Sequence, residues 1–304
     1  MTDVTQGNVQ TEPSRWDELV DAARERIGLE PRARKPRYLF YRHPIPVRLL
    51  HWINALCLLV MLMSGLQIFN AHPSLYWGNG ADFDHPFIAL TAQGTQDHFW
   101  GVTTIGPWTF NTDGWLGASK TAGVQTVRGF PQWATLPSES PSLALGRLWH
   151  FAFAWLLVAN GIAYIAYVVF SGRFKKELLP TKADLQHVPH EIVTHAKLQF
   201  PKGEAARHYN ALQKISYFAV VFILGPLIVL TGLTMSPTMD SAFPFLLWVF
   251  GGRQSARTIH FLVAFSFLGF FVIHMLALIA SAPLNGLRSM ITGWFAIEKD
   301  AENG

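Results

Sequence analysis

The sequence predicts an all-α integral membrane protein, a bundle of four spanning helices with its N and C termini on the cytoplasmic side. Three observations predict it. Half of the 304 residues are hydrophobic and only 14% are charged, against a charged share of about 25% in soluble domains. Four segments, 47–69, 143–170, 211–235 and 256–280, reach the roughly 20 apolar residues that a helix needs to cross about 30 Å of hydrocarbon. Lys and Arg are shared unevenly among the connections, with eight in the tail before the first span, seven in 171–208, and only Lys120 and Arg128 in 70–141. Loops retained in the cytoplasm carry the excess of positive charge. Both termini and the 171–208 loop are therefore expected inside, and the 70–141 and 236–255 loops outside.

The elements follow in order. Residues 1–46 form a polar cytoplasmic extension with no apolar core and no small-residue cleavage site, so no cleavable signal peptide is expected. Within it Ser14-x-x-Asp17 resembles a capping box, and Trp16, Leu19, Val20, Ala23 and Ile27 follow at helical spacing, which predicts an amphipathic helix lying on the membrane surface. The four-helix transmembrane domain occupies 47–292. Its 70–141 loop is rich in Gly, Trp and Phe with little helical period, and is read as either a packed lid or a docking surface. Pro226 falls inside the third span, where a kink is tolerated because neighbouring groups satisfy the freed carbonyl. The apolar run 243–250 is too short to span and is read as an interfacial helix or re-entrant piece. Residues 293–304 form a cytoplasmic tail.

Composition also excludes function classes. Cys57 is the only cysteine, so disulfides, iron–sulfur clusters and covalent C-x-x-C-H haem attachment have no ligands within this chain. The +4 net charge is gathered in loops rather than on one basic face, and no nucleic-acid signature is present. No P-loop, GxGxxG fingerprint or nucleophile elbow occurs in a usable setting.

The candidate functional residues are histidines. His51, His150, His260 and His274 lie within the spans, where an ionisable group is costly and marks function by default. His260 and His274 are 14 residues apart on the fourth span; at 100° per residue they come within about 40° of sharing a face, separated by about 21 Å along the axis. One helix can therefore serve two sites at two depths. A six-coordinate b haem takes one imidazole from each side of its ring. With the predicted topology, His51 near the start of the first span is level with His274, and His150 near the start of the second is level with His260. Two b haems held non-covalently between the helices follow from those depths, with these four histidines as metal ligands.

Arginines reinforce the pattern. Arg48, Arg147 and Arg257 each precede one of these histidines by three residues, hence on the same helix face and one turn nearer water. There they are expected to bind haem propionates through bidentate hydrogen bonds. Snorkelling at a helix end accounts equally well for Arg48, but less well for Arg147 and Arg257, whose ends are predicted to face outward. His43, just before the first span, is read as either an interfacial histidine or a quinone contact. His72, His85 and His98 read as surface or interface residues. His190-Glu191 begins like a zinc motif, but the fifth position is Thr194, and His195 lies about 140° off the face of His190.

Three stretches carry a family resemblance: Arg42-His43-Pro44 through His51-Trp52-Ile53-Asn54, Gly146-Arg147-Leu148-Trp149-His150, and Gly252-Arg253-Gln254-Ser255-Ala256-Arg257-Thr258-Ile259-His260. They resemble the prokaryotic b561-type cytochromes, and more narrowly the thiosulfate-reductase or nickel-hydrogenase cytochrome b subunits, over roughly residues 38–292. The resemblance implies a bacterial inner-membrane electron conduit between the quinone pool and a separate periplasmic subunit, commonly a molybdopterin oxidoreductase. The long 70–141 loop would suit such docking, and together with the N-terminal extension it departs from the smallest members. Two rival readings stand beside this one: a self-contained quinone-linked, superoxide oxidase-like enzyme, and a carrier whose histidines relay protons or bind substrate.

Overall fold

The computed structural model describes residues 15–28, 37–95, 97–138, 142–197, 199–200, 207 and 209–298. Four helices are long and apolar enough to cross a membrane: span one Ile45–Phe69, span two Leu143–Phe170, span three Ala211–Thr234 and span four Arg253–Ser281. Their large side chains recur at helical spacing on exposed faces, as with Leu49, Trp52, Leu56 and Leu59 on span one and Val272, Ile273, Leu276 and Ile279 on span four. Lipid is the environment that matches such faces. Span three is interrupted as its proline requires. Pro226 has no N–H to give the preceding turn, and the residues before it widen into a π-turn, Val220–Leu224, in which Gly225 N–H reaches back to Val220 O.

The chain divides into two compact units. The first comprises 1–49, 167–218 and 272–304. In it β1 (Arg37–Tyr41) pairs antiparallel with a strand near the C terminus, Trp294–Glu298, with Tyr41 opposite Trp294. The extension and the tail are thus joined by a ladder rather than being two separate polar ends. The helix Pro283–Thr292 precedes that strand and ends on Gly293, whose φ of 93° suits glycine. Asn285 pins the strand by accepting from Ala296 N–H and donating to Ala296 O. The helix Lys182–Ala196 begins with a capping box of Thr181 and Asp184, and Lys214 Nζ lies 3.1 Å from the same carboxylate. Near the N terminus a helix covers Arg15–Arg26, with Leu19 and Ile27 exposed; the Ser14 end of the expected capping box lies outside the described residues.

The second unit comprises 50–166 and 219–271. Here the structure adds to the expected helical bundle, because the described residues of the 70–141 loop carry six strands. Strands β2 (Ser74–Leu75), β3 (Ile88–Gly94), β4 (Phe99–Ile105) and β5 (Trp108–Asn111) form a four-stranded antiparallel sheet in chain order. β6 (Ala118–Thr121) and β7 (Val124–Val127) form a hairpin; the strand Trp294–Glu298 is β8. The physical reason lies in two-residue turns between β-branched and aromatic runs. Gly106-Pro107 joins β4 to β5, and Ala122-Gly123, both with positive φ, joins β6 to β7 in the manner that strand twist favours. The 236–255 loop carries two short helices, Pro237–Ala242 and Phe245–Val249.

The sheet is fastened to spans one and four. Phe69, Leu75, Leu90 and Phe130 form its core, with Phe261 and Phe265 of span four packed against them. Asn70, just past span one, grips Phe130 from both sides, accepting from its N–H at 2.6 Å and donating to its carbonyl at 3.2 Å. The start of span four is held in the same way: Gly78 N–H donates to Ser255 Oγ at 2.8 Å, and Thr258 Oγ1 donates to Tyr76 O at 2.6 Å. Gly252 permits this approach, since a Cβ there would lie 2.5 Å from Gly78 O. Removing these fasteners should loosen the lid before the spans. Phe130→Ala is expected to cost about 3–5 kcal/mol and Asn70→Ala about 1–3 kcal/mol, both read as faster proteolysis within 97–138 while the spans remain protected.

Candidate functional site

The structure brings His150 of span two and His260 of span four together, with ring centroids 6.2 Å apart and ring planes at 60°. Each ring is backed by a hydroxyl from a third or fourth helix. Ser64 Oγ of span one lies 3.1 Å from His150 Nδ1, and Thr231 Oγ1 of span three lies 3.1 Å from His260 Nδ1. A hydroxyl has one proton to donate. Thr231 gives its proton to Leu227 O at 2.7 Å, and Ser64 is 3.3 Å from Met61 O. With that proton on the helix backbone, each oxygen can only accept from the imidazole. An imidazole that gives its Nε2 lone pair to a metal keeps its hydrogen on Nδ1, where each of these hydroxyl oxygens is placed to accept it.

Glycines complete each cradle. A Cβ on Gly65 would lie 3.3 Å from His150 Cε1, and a Cβ on Gly232 would lie 3.3 Å from His260 Cε1. Any larger residue would push the ring out of line. Thr231 and Ser64 are fully buried, so the hydroxyls have no water to turn to.

The spacing tests which group fits. Imidazole–metal bonds of about 2 Å on opposite sides of one metal, with each ring centre about 1.2 Å behind its nitrogen, give a centroid separation of about 6.4 Å. The observed 6.2 Å matches that arrangement. A bare ion would need further protein ligands, and among the described residues no group of three His, Cys, Asp or Glu side chains is placed to supply them. A b haem needs only the two axial imidazoles, because the porphyrin fills the other four positions.

The remaining expected residues fall as follows. His51 stands edge-on to Trp52 at 5.3 Å, in the unit of 50–166, while His274 belongs to the unit that contains 272–304. Arg257 is engaged by the loop: Nη1 donates to Ser74 O at 2.9 Å, Nη2 donates to His72 O, and the guanidinium lies over the Phe69 ring at 5.4 Å. Its first task is to fasten the lid one turn from His260. Arg147 stacks over Phe151 at 5.4 Å. Arg48 donates to Ile291 O, tying the start of span one to the helix Pro283–Thr292. His43 bonds through its backbone N–H to Gly293 O at 3.2 Å. Beside it Arg42 is sandwiched between the rings of Tyr209 and Phe295, at 5.3 and 4.8 Å, and burial pushes the Tyr209 phenol above its ordinary range despite that cation.

Two loop histidines are half-buried and held by neighbours. His72 stacks on Tyr76 and its Nε2 lies 3.1 Å from the Tyr76 hydroxyl; burial, and then Arg257, holds its pKa below the usual value. His195 has Nδ1 on Glu191 O and Nε2 beside Asn210, so both of its ring nitrogens are occupied. Ser64, Gly65, Thr231 and Gly232 were not singled out from sequence. Their signal is a hydroxyl residue followed by glycine, once in span one and once in span three.

Four membrane-capable helices and a half-buried, hydroxyl-backed imidazole pair suit the class of membrane haem proteins. The comparisons agree. Residues 42–293 match the family described as prokaryotic cytochrome b561, and the chain belongs to that family: it is a multi-pass protein of the bacterial inner membrane, a b-type cytochrome of electron transport. It is also similar to a protein of Azospira oryzae described as a protein-methionine-sulfoxide reductase subunit, YedZ1, with 28% identity over 257 residues that cover 83% of this chain and 96% of the relative.

The hydroxyl cradles generate a test. Thr231→Val keeps the shape but removes the acceptor, and loss of such an outer partner typically lowers affinity for the bound metal about 10–100-fold. Purified Thr231→Val and Ser64→Ala proteins are expected to retain less haem than wild type, and Thr231→Ser to retain it fully, as read by haem-to-protein absorbance. Gly232→Leu should remove haem outright by displacing the ring of His260.

Proposed function

We propose that this chain holds two b haems and carries electrons across the membrane between the quinone pool and a periplasmic partner. The observation that carries the reading is the His150–His260 pair, whose 6.2 Å separation and matched hydroxyl backing suit axial ligation. The second haem is assigned to His51 and His274 on the topology expected from charge, in which spans one and four run in opposite directions and those positions are expected at one level. Bound haem supplies one-electron chemistry. The chain's residues do the rest: imidazoles fix the ring centres, glycines admit them, and the spans exclude water.

Topology follows from charge. The Lys- and Arg-rich tail and 171–208 loop favour the cytoplasm, so the His51 and His274 end faces inward and the 70–141 loop faces the periplasm. Quinone exchange is assigned to the inner end, near His51, His274 and His43. Arg147, with its guanidinium held only over a ring face among the contacts described, is the most available of the three expected propionate partners.

The partner is read as an oxidoreductase subunit of the molybdopterin type. Two observations support a docked partner rather than a self-contained enzyme. The similar Azospira protein is described as a subunit, and the 70–141 loop exposes large rings, Phe83, Trp108, Trp115 and Trp133, each at least 65% accessible. Aromatic residues are enriched at interface centres.

Haem count and redox titration on purified protein test the reading. Two b haems per chain are expected, with His260→Ala and His150→Ala each removing the same one, and His51→Ala and His274→Ala each removing the other. Quinol should reduce both. Colourless wild-type protein, or His260→Ala protein that keeps its full haem content, would overturn the ligand assignment; turnover of quinone by the chain alone would overturn the subunit reading.

A further inference from the structure

Arg128 is a cation in the wrong surroundings. It follows β7 in the 70–141 loop and is only 7% exposed. Its Nη2 donates to Gln67 Oε1 at 2.6 Å and to Thr135 Oγ1 at 2.7 Å, both neutral. Its Nε is buried with no hydrogen-bond partner, and no carboxylate among the described residues forms an ion pair with it. Removing a guanidinium from water is costly unless an anion offsets it, and the burial holds Arg128 below its ordinary pKa.

The space beside it is mixed in character, with Ala71, Val127 and Leu143 among its walls. A cavity of about 220 Å³ is lined by Arg128 with Gln67, Asn70, Thr121 and Thr126. These residues offer donors and neutral acceptors but no acid. With both Nη2 hydrogens taken by Gln67 and Thr135, the hydrogens left for an anion are those of Nε and Nη1, and a carboxylate oxygen is the partner a guanidinium favours. Position then suggests whose carboxylate. Gln67 lies one helical turn beyond Ser64, which backs His150, and it packs against Gly146, where a Cβ would lie 3.0 Å from Gln67 Cγ; Gly146 is itself one turn from His150. The guanidinium therefore sits one turn from the imidazole pair toward the loop.

We propose that Arg128 and its cavity form a carboxylate-binding site, occupied by a propionate of the haem that His150 and His260 hold. A small free carboxylate would meet the same donors. The propionate source rests on the haem reading above; the free-anion source does not.

Full-length Arg128→Gln and Arg128→Lys proteins test this by redox titration and by acetate titration in a calorimeter. A nearby cation favours the reduced state, which carries one more electron, so removing it lowers the midpoint of the haem it serves. With a propionate bound, Arg128→Gln should lower one midpoint only, cutting the reduced fraction about tenfold at the wild-type midpoint, or about 59 mV for a one-electron couple. Arg128→Lys, which keeps the charge and loses the planar guanidinium, should shift the same midpoint less. With a free anion instead, acetate should bind wild type, which a propionate already in the site would prevent, and should not bind Arg128→Gln. Should Arg128→Gln fail to accumulate, Arg128→Lys carries the test through the same two readouts. Unchanged midpoints together with no acetate binding by wild type would overturn the site. Wild-type protein lacking haem would overturn the haem reading, leaving acetate binding to decide the site alone.

Discussion

A polar side chain within the hydrocarbon must find its partner inside the protein, and the hydrogen bonds from His150 and His260 to Ser64 and Thr231 are where this chain meets that constraint. An imidazole in a span is costly by itself. With Nδ1–H on a buried hydroxyl, the ring loses one orphan donor and gains a fixed orientation. All four spans are then obliged to meet at one level, two supplying rings and two supplying hydroxyls. The glycines beside those hydroxyls follow from the same requirement, since a Cβ at either position would fall within 3.3 Å of a ring carbon.

The sheet of the 70–141 loop acts on the same site from outside the lipid. Span four enters through a collar of loop carbonyls and amides, with Arg257 on His72 and Ser74, Thr258 on Tyr76, and Ser255 under Gly78. His260 is one turn below this collar. Its depth is thereby coupled to the loop's own core of Phe69, Leu75, Leu90 and Phe130. A loop that looks like a long excursion in sequence is a positioning element for the helix that follows it much later in the chain.

What could be read from sequence divides along physical lines. The spans were legible because lipid imposes length and composition on each segment separately, and the structure departs from the expected ends by only a few residues. His150 and His260 were legible because an ionisable residue in a span is conspicuous, and their depths follow from helix rise. Ser64 and Thr231 were not, because small polar residues are ordinary in spans and their partners are distant in the chain. The contacts of Arg257 to loop carbonyls were not legible, because they join positions more than 180 residues apart. The strands were not legible because the loop's Gly and Trp content masks Gly106-Pro107 and Ala122-Gly123, which mark its turns. The pairing of β1 with β8 joins residues at opposite ends of the chain, and no local pattern announces it.

The matched backing of the two rings reaches beyond ligation. Ser64-Gly65 serves His150 and Thr231-Gly232 serves His260 at the same 3.1 Å and 3.3 Å, so neither face of the pocket is the weaker one. An enzyme that activates a diatomic gas keeps one side loose, so that a ligand can leave and make room. Here both rings are backed alike, and a haem held between them would have no vacant seat for carbon monoxide or cyanide.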